Sequence, residues 1–315
     1  GITGTNGKTS TSTILKSILD ANNEKTLQVG TSGIKPSIDI ESVLTTPDIF
    51  DLYEILNHAV NDGFKNVVLE ISSHALSQRR IENISFDITA FTNLTLDHLD
   101  YHKTMEEYFC EKLKLFDLNK ENGSSVVMID DEYGKRISEL NSHAKSISLE
   151  NKDADYSCTS FSINDLGIKG TLAWDSKTLD FQSKLFGSFN LENLILASAI
   201  AVELNISRQS ISEGIKNCTN IDGRLHLVEN KSNQMIFLDY GHTPDAYFKV
   251  LNTLKDNFSN HPLKVLFGAG GGRDKSKRPK MAEVVEKYSV ECYLAPDNPR
   301  FEDIESINND VIKGF

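Results

Sequence analysis

The chain has 315 residues, which at about 150 residues per domain predicts two domains. Apolar residues make up 39% and charged residues 25%, too apolar a mixture for a disordered chain. Lys and Arg number 33 against 45 Asp and Glu, a net charge of −12. Such a surface repels nucleic acid and anionic membranes, so a phosphate-bearing ligand has to be held by local geometry. Cys110, Cys158, Cys218 and Cys292 are scattered without a CxxC pair, which excludes a cysteine zinc site and a disulfide framework and suits a cytoplasmic protein. The longest mainly apolar run, Leu194 to Val202, is too short to span a bilayer. The chain opens at Gly1 inside what reads as the end of a strand, and is expected to be a fragment of a longer protein.

Ile14, Leu15, Ile18 and Leu19 recur at helical spacing after a glycine-rich opening, and Asn22-Asn23 closes that helix. Short apolar runs at Val67-Val68-Leu69, Ile88 to Phe91 and Val126 to Ile129 predict parallel strands buried on both faces, with helices between them. From Tyr156 to Phe186 the pattern alternates, with turns near Asn164-Asp165 and Asp175-Ser176, and predicts a small antiparallel sheet. Helices are predicted over Leu191 to Leu204 and Ser207 to Asn217. Asn220 to Arg224 reads as a hinge, dividing a domain over 1–222 from one over 223–315. The second domain begins a new series: strand Met235 to Leu238, a helix from Pro244, strand Lys264 to Phe267, a helix over Pro279 to Tyr288 and strand Glu291 to Leu294.

Three places carry chemistry. Gly4-Thr5-Asn6-Gly7-Lys8-Thr9 opens the first helix: glycines let backbone N–H groups approach phosphate oxygens, Lys8 adds a full charge and the Thr9 hydroxyl suits a magnesium ion. The generic P-loop pattern would need Gly where Ile2 stands. Glu70 ends a predicted strand near this loop, where a carboxylate can bind magnesium directly or through water. In the helix predicted from Thr104 to Phe116, Met105, Tyr108, Phe109 and Phe116 define the apolar face, and Lys112 falls near its middle while Lys114 points to solvent. A lysine aimed at a core must snorkel, lose its proton or be chemically changed.

The Thr3 to Thr9 variant of the phosphate loop resembles the ATP site of the Mur ligases and folylpolyglutamate synthases, which activate a carboxylate as an acyl phosphate for attack by an amine. Further motifs resemble the branch that adds meso-diaminopimelate to UDP-N-acetylmuramoyl-L-alanyl-D-glutamate in peptidoglycan synthesis, and they extend to about Arg300. The resemblance implies a central α/β ATPase domain with a mostly parallel sheet plus a small antiparallel sheet, then an incomplete Rossmann-like α/β domain. It implies ATP and Mg2+ as cofactors, with Thr9, Glu70, His98 and a carbamylated Lys112 as metal ligands. Lys8, Lys112, His98 and Glu70 are then catalytic, while Asp97, Asp100 and His102 hold the loop around His98. Nucleotide contacts fall to Gly4, Thr5, Asn6, Gly7, Lys8, Thr9 and Ser10, and to Asn193, Arg224, Asp239 and His242. Asn190 is also a plausible helix N-cap, and Gly241 stands where the family usually has Ala.

The same resemblance gives the muramoyl dipeptide nucleotide to Thr45, Thr46, Ser72, Gln78 and Arg80, although Arg79-Arg80 also reads as a solvated basic pair. Diaminopimelate falls to Arg273 and to Asp297-Asn298-Pro299-Arg300. Arg300 can pair the far carboxylate of diaminopimelate, which lysine lacks. The basic turn Gly270 to Arg278 reads alternatively as a second phosphate site; in the family reading its remaining residues join the closed nucleotide site. Closure about Gly223-Arg224 would bring Arg273 and Arg300 to the acceptor. A monomer without nucleic-acid or membrane partners is expected, inactive without the missing N-terminal domain and C-terminal end. The alternatives are a folylpolyglutamate synthase-like ligase, disfavoured by Thr45-Thr46-Pro47 and Asp297 to Arg300, and a non-catalytic nucleotide-binding switch.

Overall fold

A computed structural model describes residues 1–40, 42–232 and 234–315, and Asp100 by its backbone alone. The chain divides into two compact units: Gly1–Ser162 with Gly167–Leu185 and Phe189–Ile221, and Asp222–Phe315 with Ile163–Leu166 and Phe186–Ser188.

In the first unit β1 (Ile2–Thr3) leads into α1 (Lys8–Ala21), whose Ile14, Leu15, Ile18 and Leu19 are buried as their spacing predicts. Then come β2 (Thr26–Gly30), β3 (Gly33–Lys35), α2 (Ile49–Asn61), β4 (Asn66–Leu69) and α3 (Ser73–Ser77). They are followed by β5 (Phe86–Phe91), α4 (Leu99–His102) and α5 (Met105–Leu113). Thr104 caps α5 by accepting the Glu107 N–H, and a 3-10 turn over Lys114–Leu118 ends the helix before the expected Phe116. β6 (Asn119–Met128), α6 (Glu132–Leu140), β7 (Lys145–Ser148), β8 (Tyr156–Asn164), β9 (Gly167–Trp174) and β10 (Lys177–Ser183) complete the strands, and α7 (Ser188–Glu203) and α8 (Arg208–Asn217) follow.

The main sheet has the order β1-β5-β6-β7-β8-β9-β10. It is parallel from β1 through β8, and β9 and β10 pair antiparallel. A smaller sheet, β3-β2-β4, is tied to it by a parallel bridge between Ile2 and Glu70. The antiparallel segment after Tyr156 is therefore not a separate sheet. Ile147 pairs with Tyr156 and Ser148 with Ser157, so β8 carries the parallel sheet on into the hairpin. Alternation in sequence reports which face is covered, not which strand lies at the edge. In α7 every residue from Leu194 to Ala201 is buried, as a helix apolar all round requires. Asn190 lies inside this helix, which starts at Ser188, so it is not the N-cap.

In the second unit β11 (His226–Val228) pairs antiparallel with β12 (Ile236–Leu238), and β13 (Lys264–Phe267) pairs parallel with β14 (Glu291–Leu294). α9 (Pro244–Asn257) is capped by Thr243 and starts on Pro244, where a missing N–H costs nothing. With α10 (Lys277–Tyr288) and α11 (Ile304–Ile312) it encloses a core of Leu251, Phe267, Ala282, Val285, Ile307 and Val311. Among the described residues no helix is long and apolar enough to cross a membrane.

Candidate active site

The loop from β1 to α1 lies at the carboxyl end of the parallel strands, where open α/β sheets bind ligands. Two of its glycines are obligatory. Gly4 has φ 145° and a Cβ there would lie 1.8 Å from Thr92 Oγ1, while Gly7 has φ 87° and a Cβ there would lie 2.4 Å from Asn193 Oδ1. The segment after β5 pins the loop: Thr5 N–H donates to Asn93 O at 2.8 Å, Asn6 N–H to Asn93 Oδ1 at 3.0 Å, and Thr92 Oγ1 to Asn6 O at 2.6 Å. Lys8 Nζ folds back onto the carbonyls of Gly4 and Thr5 at 2.9 and 3.0 Å. Ser10 is buried on the inner face of α1. Asn193 sits beneath the loop, its Oδ1 accepting from Thr11 at 3.2 Å and its Nδ2 donating to Asn190 at 3.4 Å. It braces the start of α1.

Glu70 follows β4 and is completely buried. Its Oε2 accepts from the hydroxyls of Thr9 at 2.9 Å and Thr31 at 3.1 Å, and its Oε1 from Ser12 at 3.3 Å. A Cβ on Gly30 would lie 2.0 Å from Oε1, so only glycine leaves room for the carboxylate. No Lys or Arg among the described residues forms an ion pair with it. Among the described residues its carboxylate is held by hydroxyls alone, a setting into which a cation would fit.

Lys112 is also buried, as its place on the apolar face predicts, whereas Lys114 pairs with Glu111 at the surface. Lys112 Nζ donates to Gly4 O at 2.8 Å and lies 4.6 Å from the Tyr108 ring centroid. It therefore shares one carbonyl with Lys8. Burial, with Lys8 adding to it, holds the Lys112 amine well below lysine's ordinary 10.5.

His98 stands at the N-cap of α4 with φ 54°. Its ring is 5.0 Å from that of His74 and 5.9 Å from Tyr108. Burial first, then the charges of His74, Lys8 and Lys112, lower its pKa against the opposing pull of Asp97, which favours the neutral ring a metal needs. Asp97 Oδ1 accepts the His98 N–H at 2.8 Å, and His102 Nε2 lies 2.8 Å from Ser73 Oγ. Asp100, expected beside them, lies outside the residues whose side chains are described. Tyr108, read from its spacing as core, joins these parts: its OH is 3.1 Å from Thr5 Oγ1 and its ring stacks on His102 at 5.1 Å. Nothing in an apolar periodicity distinguishes such a tyrosine.

A second cluster adjoins Glu70. Thr46, buried, donates through Oγ1 to Glu70 O at 2.9 Å and accepts the Ser72 N–H at 3.0 Å. Thr45 Oγ1 is 3.0 Å from Thr31 Oγ1. Arg80 donates to Thr46 O at 3.1 Å and Gln78 Oε1 at 3.0 Å and pairs with Asp48 at 3.2 Å, while Gln78 Nε2 reaches the Tyr101 hydroxyl at 3.3 Å. Arg79 and Arg80 are no solvated pair: the side chain of Arg79 is 78% exposed and that of Arg80 only 16%.

In the second unit the Arg224 guanidinium lies 5.8 Å from the Tyr240 ring centroid. Asp239 accepts the N–H groups of Leu225 and Gly241 at 2.8 and 2.7 Å, and burial raises its pKa despite these bonds. His242 is exposed, with Nδ1 3.2 Å from Tyr240 O. Arg273, Asp297, Asn298 and Arg300 are exposed and Pro299 is half-buried. Arg300 Nη1 donates to Gly271 O at 2.6 Å, and Gly271 N–H donates to Asn298 O at 2.9 Å, lacing the two loops together. Arg278 departs from the basic turn it was expected to join. It is buried and ion-paired with Glu302 and Asp310, so it offers no charge to a phosphate.

A doubly glycine-kinked loop at the end of a parallel sheet, beside a buried carboxylate and a buried lysine, is the class of site in which α/β proteins hold phosphate groups. The model of the Mur ligase middle domain matches residues 2–201 and that of the Mur ligase glutamate ligase domain matches residues 223–314, and the chain belongs to the Mur ligase family. It is 41% identical over 319 residues to a UDP-N-acetylmuramoyl-L-alanyl-D-glutamate--2,6-diaminopimelate ligase of Caldanaerobacter subterraneus subsp. tengcongensis, covering 100% of this chain and 65% of that protein. The same-named ligase of Aquifex aeolicus is 41% identical over 316 residues, with 100% and 64% covered. A solved structure of a ligase of that name superposes with a TM-score of 0.74 at 32% identity, covering 100% of this chain and 65% of that one. The chain thus spans about two thirds of the length of these relatives.

Proposed function

We propose that the full-length protein is an ATP-dependent ligase that adds meso-diaminopimelate to UDP-N-acetylmuramoyl-L-alanyl-D-glutamate, as a cytoplasmic monomer. The observation that carries this is Lys112: a buried amine whose pKa burial lowers, donating to the same Gly4 carbonyl as the phosphate-loop lysine. A neutral amine can add carbon dioxide, which makes the carbamate anion and releases one proton. Among the described residues no three His, Cys, Asp or Glu side chains form a ready metal cage. A carbamate would add two oxygens to the Thr9 hydroxyl, the Glu70 carboxylate and the His98 ring, and these residues would hold two Mg2+ ions, with His98 a ligand of the second. Bound there, Mg2+ would neutralise phosphate charge.

The chain's own residues do the rest. The amides of Gly4 to Thr9 and the Lys8 ammonium hold the terminal phosphates of ATP. Thr45, Thr46, Ser72, Gln78 and Arg80 orient the acceptor beside Glu70. The D-glutamate side-chain carboxylate attacks the γ-phosphorus and ADP leaves; the amine of diaminopimelate then attacks the acyl carbon, loses a proton, and phosphate leaves. In the first unit Asn193 is a nucleotide ligand; in the second, Arg224, Asp239 and His242 are nucleotide ligands, and Arg273 with Asp297 to Arg300 takes the amino acid. The test is phosphate release by the full-length protein with acceptor, diaminopimelate and lysine varied separately. Release that needs both acceptor and diaminopimelate supports the reading, and release without either indicates a nucleotide switch.

A further inference from the structure

Arg278 is the largest fully buried side chain among the described residues. It leaves the first turn of α10 and reaches three elements. Nη1 meets Asp310 of α11 at 3.0 Å, and Nη2 meets the Glu302 carboxylate at 3.0 Å and Gly270 O at 3.2 Å. Its Nε has no acceptor among the described residues. A buried guanidinium with an idle donor is a poor stabiliser, since apolar side chains of similar volume hold a core as well. What it supplies is geometry.

Glu302 also accepts the Gly272 N–H at 2.6 Å, and its own N–H donates to Pro299 O at 2.9 Å. Arg278 therefore grips Gly270 directly and Gly272 through Glu302. Between them lies Gly271, whose carbonyl receives Arg300 and whose N–H bonds Asn298. The fit is tight: a Cβ on Gly271 would lie 1.9 Å from Pro299 O.

We propose that Arg278 and Glu302 are positioning residues for the amino-acid site: they lock the 270–272 loop against the 297–300 loop, fix the Arg300 guanidinium and so set the preference for an amino acid with a distal carboxylate. This rests on the reading of Arg300 as a diaminopimelate ligand. Asp310 is the internal control, since it shares Arg278 but bonds neither loop.

The experiment compares Glu302→Gln, Asp310→Asn and Arg300→Ala in the full-length enzyme. It reads KM for diaminopimelate and for ATP, thermal midpoint, and amide hydrogen exchange at Gly271 and Gly272. Glu302→Gln should raise the diaminopimelate KM about tenfold or more and leave the ATP KM unchanged, because it removes the charge that strengthens the bonds to Gly272 N–H, Arg278 and Lys275. It should also speed exchange at Gly272, whereas Asp310→Asn lowers the thermal midpoint and moves neither readout. Unchanged Gly272 exchange in Glu302→Gln, or an equal KM rise in Asp310→Asn, overturns the proposal. If Arg300→Ala leaves the diaminopimelate KM unmoved, the ligand reading fails. Gly272 exchange then still decides whether Arg278 and Glu302 lock the loop.

Discussion

Replacing Lys112 with methionine should separate stability from activity. The Lys112 side chain is buried, its amine bonds Gly4 O, and that carbonyl keeps Lys8 as a second donor. Lys112→Met therefore removes one hydrogen bond, about 1 kcal/mol, without orphaning its acceptor, and it relieves the cost of holding an amine out of water. The net change in stability should lie within about 1 kcal/mol of zero. Turnover should fall at least about a thousandfold, near 4 kcal/mol of transition-state stabilisation, because the carbamate can no longer form. The pH dependence has a definite sign. The folded amine titrates well below 10.5, so between its folded value and 10.5 the unfolded chain binds the extra proton. In bicarbonate-free buffer wild-type stability should thus rise with pH across that window, and Lys112→Met should lack the rise. Thermal melts from neutral to alkaline pH and phosphate release by the full-length protein measure both. Turnover within about tenfold of wild type would refute the reasoning, as would a stability loss above about 3 kcal/mol, which would make Lys112 a structural residue.

Other substitutions probe neighbouring parts. Gly30→Ala sets a Cβ 2.0 Å from Glu70 Oε1, and should cost about 1–3 kcal/mol in denaturant unfolding and lower turnover through the displaced carboxylate. Glu70→Gln keeps acceptors and donors near Thr9, Thr31 and Ser12 but removes the charge, so the Mg2+ concentration for half-maximal turnover should rise about tenfold or more in a metal titration. Arg300→Ala should raise the diaminopimelate KM about 10- to 100-fold, the range of a lost charge-assisted pair, with the ATP KM unchanged in initial-rate assays.

Much of the first unit could be read from spacing. The face of α1 and the inward turn of Lys112 follow from helical periodicity, because a helix buries one stripe whatever its neighbours. Features that depend on distant partners could not be read. β2 is fully buried yet carries Gln28, whose Nε2 donates to the hydroxyls of Ser12 and Thr13 on α1, so it shows neither an apolar run nor alternation. Arg278 looks like one more cation in a basic turn because Glu302 and Asp310 lie 24 and 32 residues on. Asn190 resembles an N-cap by type, yet Ser188 opens α7. Thr31, Thr92 and Tyr108 brace the site and belong to no motif, since each acts through a contact with residues far away in the sequence.

The most direct measurement is the carbon-13 NMR spectrum of the full-length protein in labelled bicarbonate, wild type beside Lys112→Met. One slowly exchanging carbamate carbon in wild type, absent from Lys112→Met, is the predicted result. A wild-type enzyme that turns over without that signal, or a signal that survives in Lys112→Met, would contradict the account.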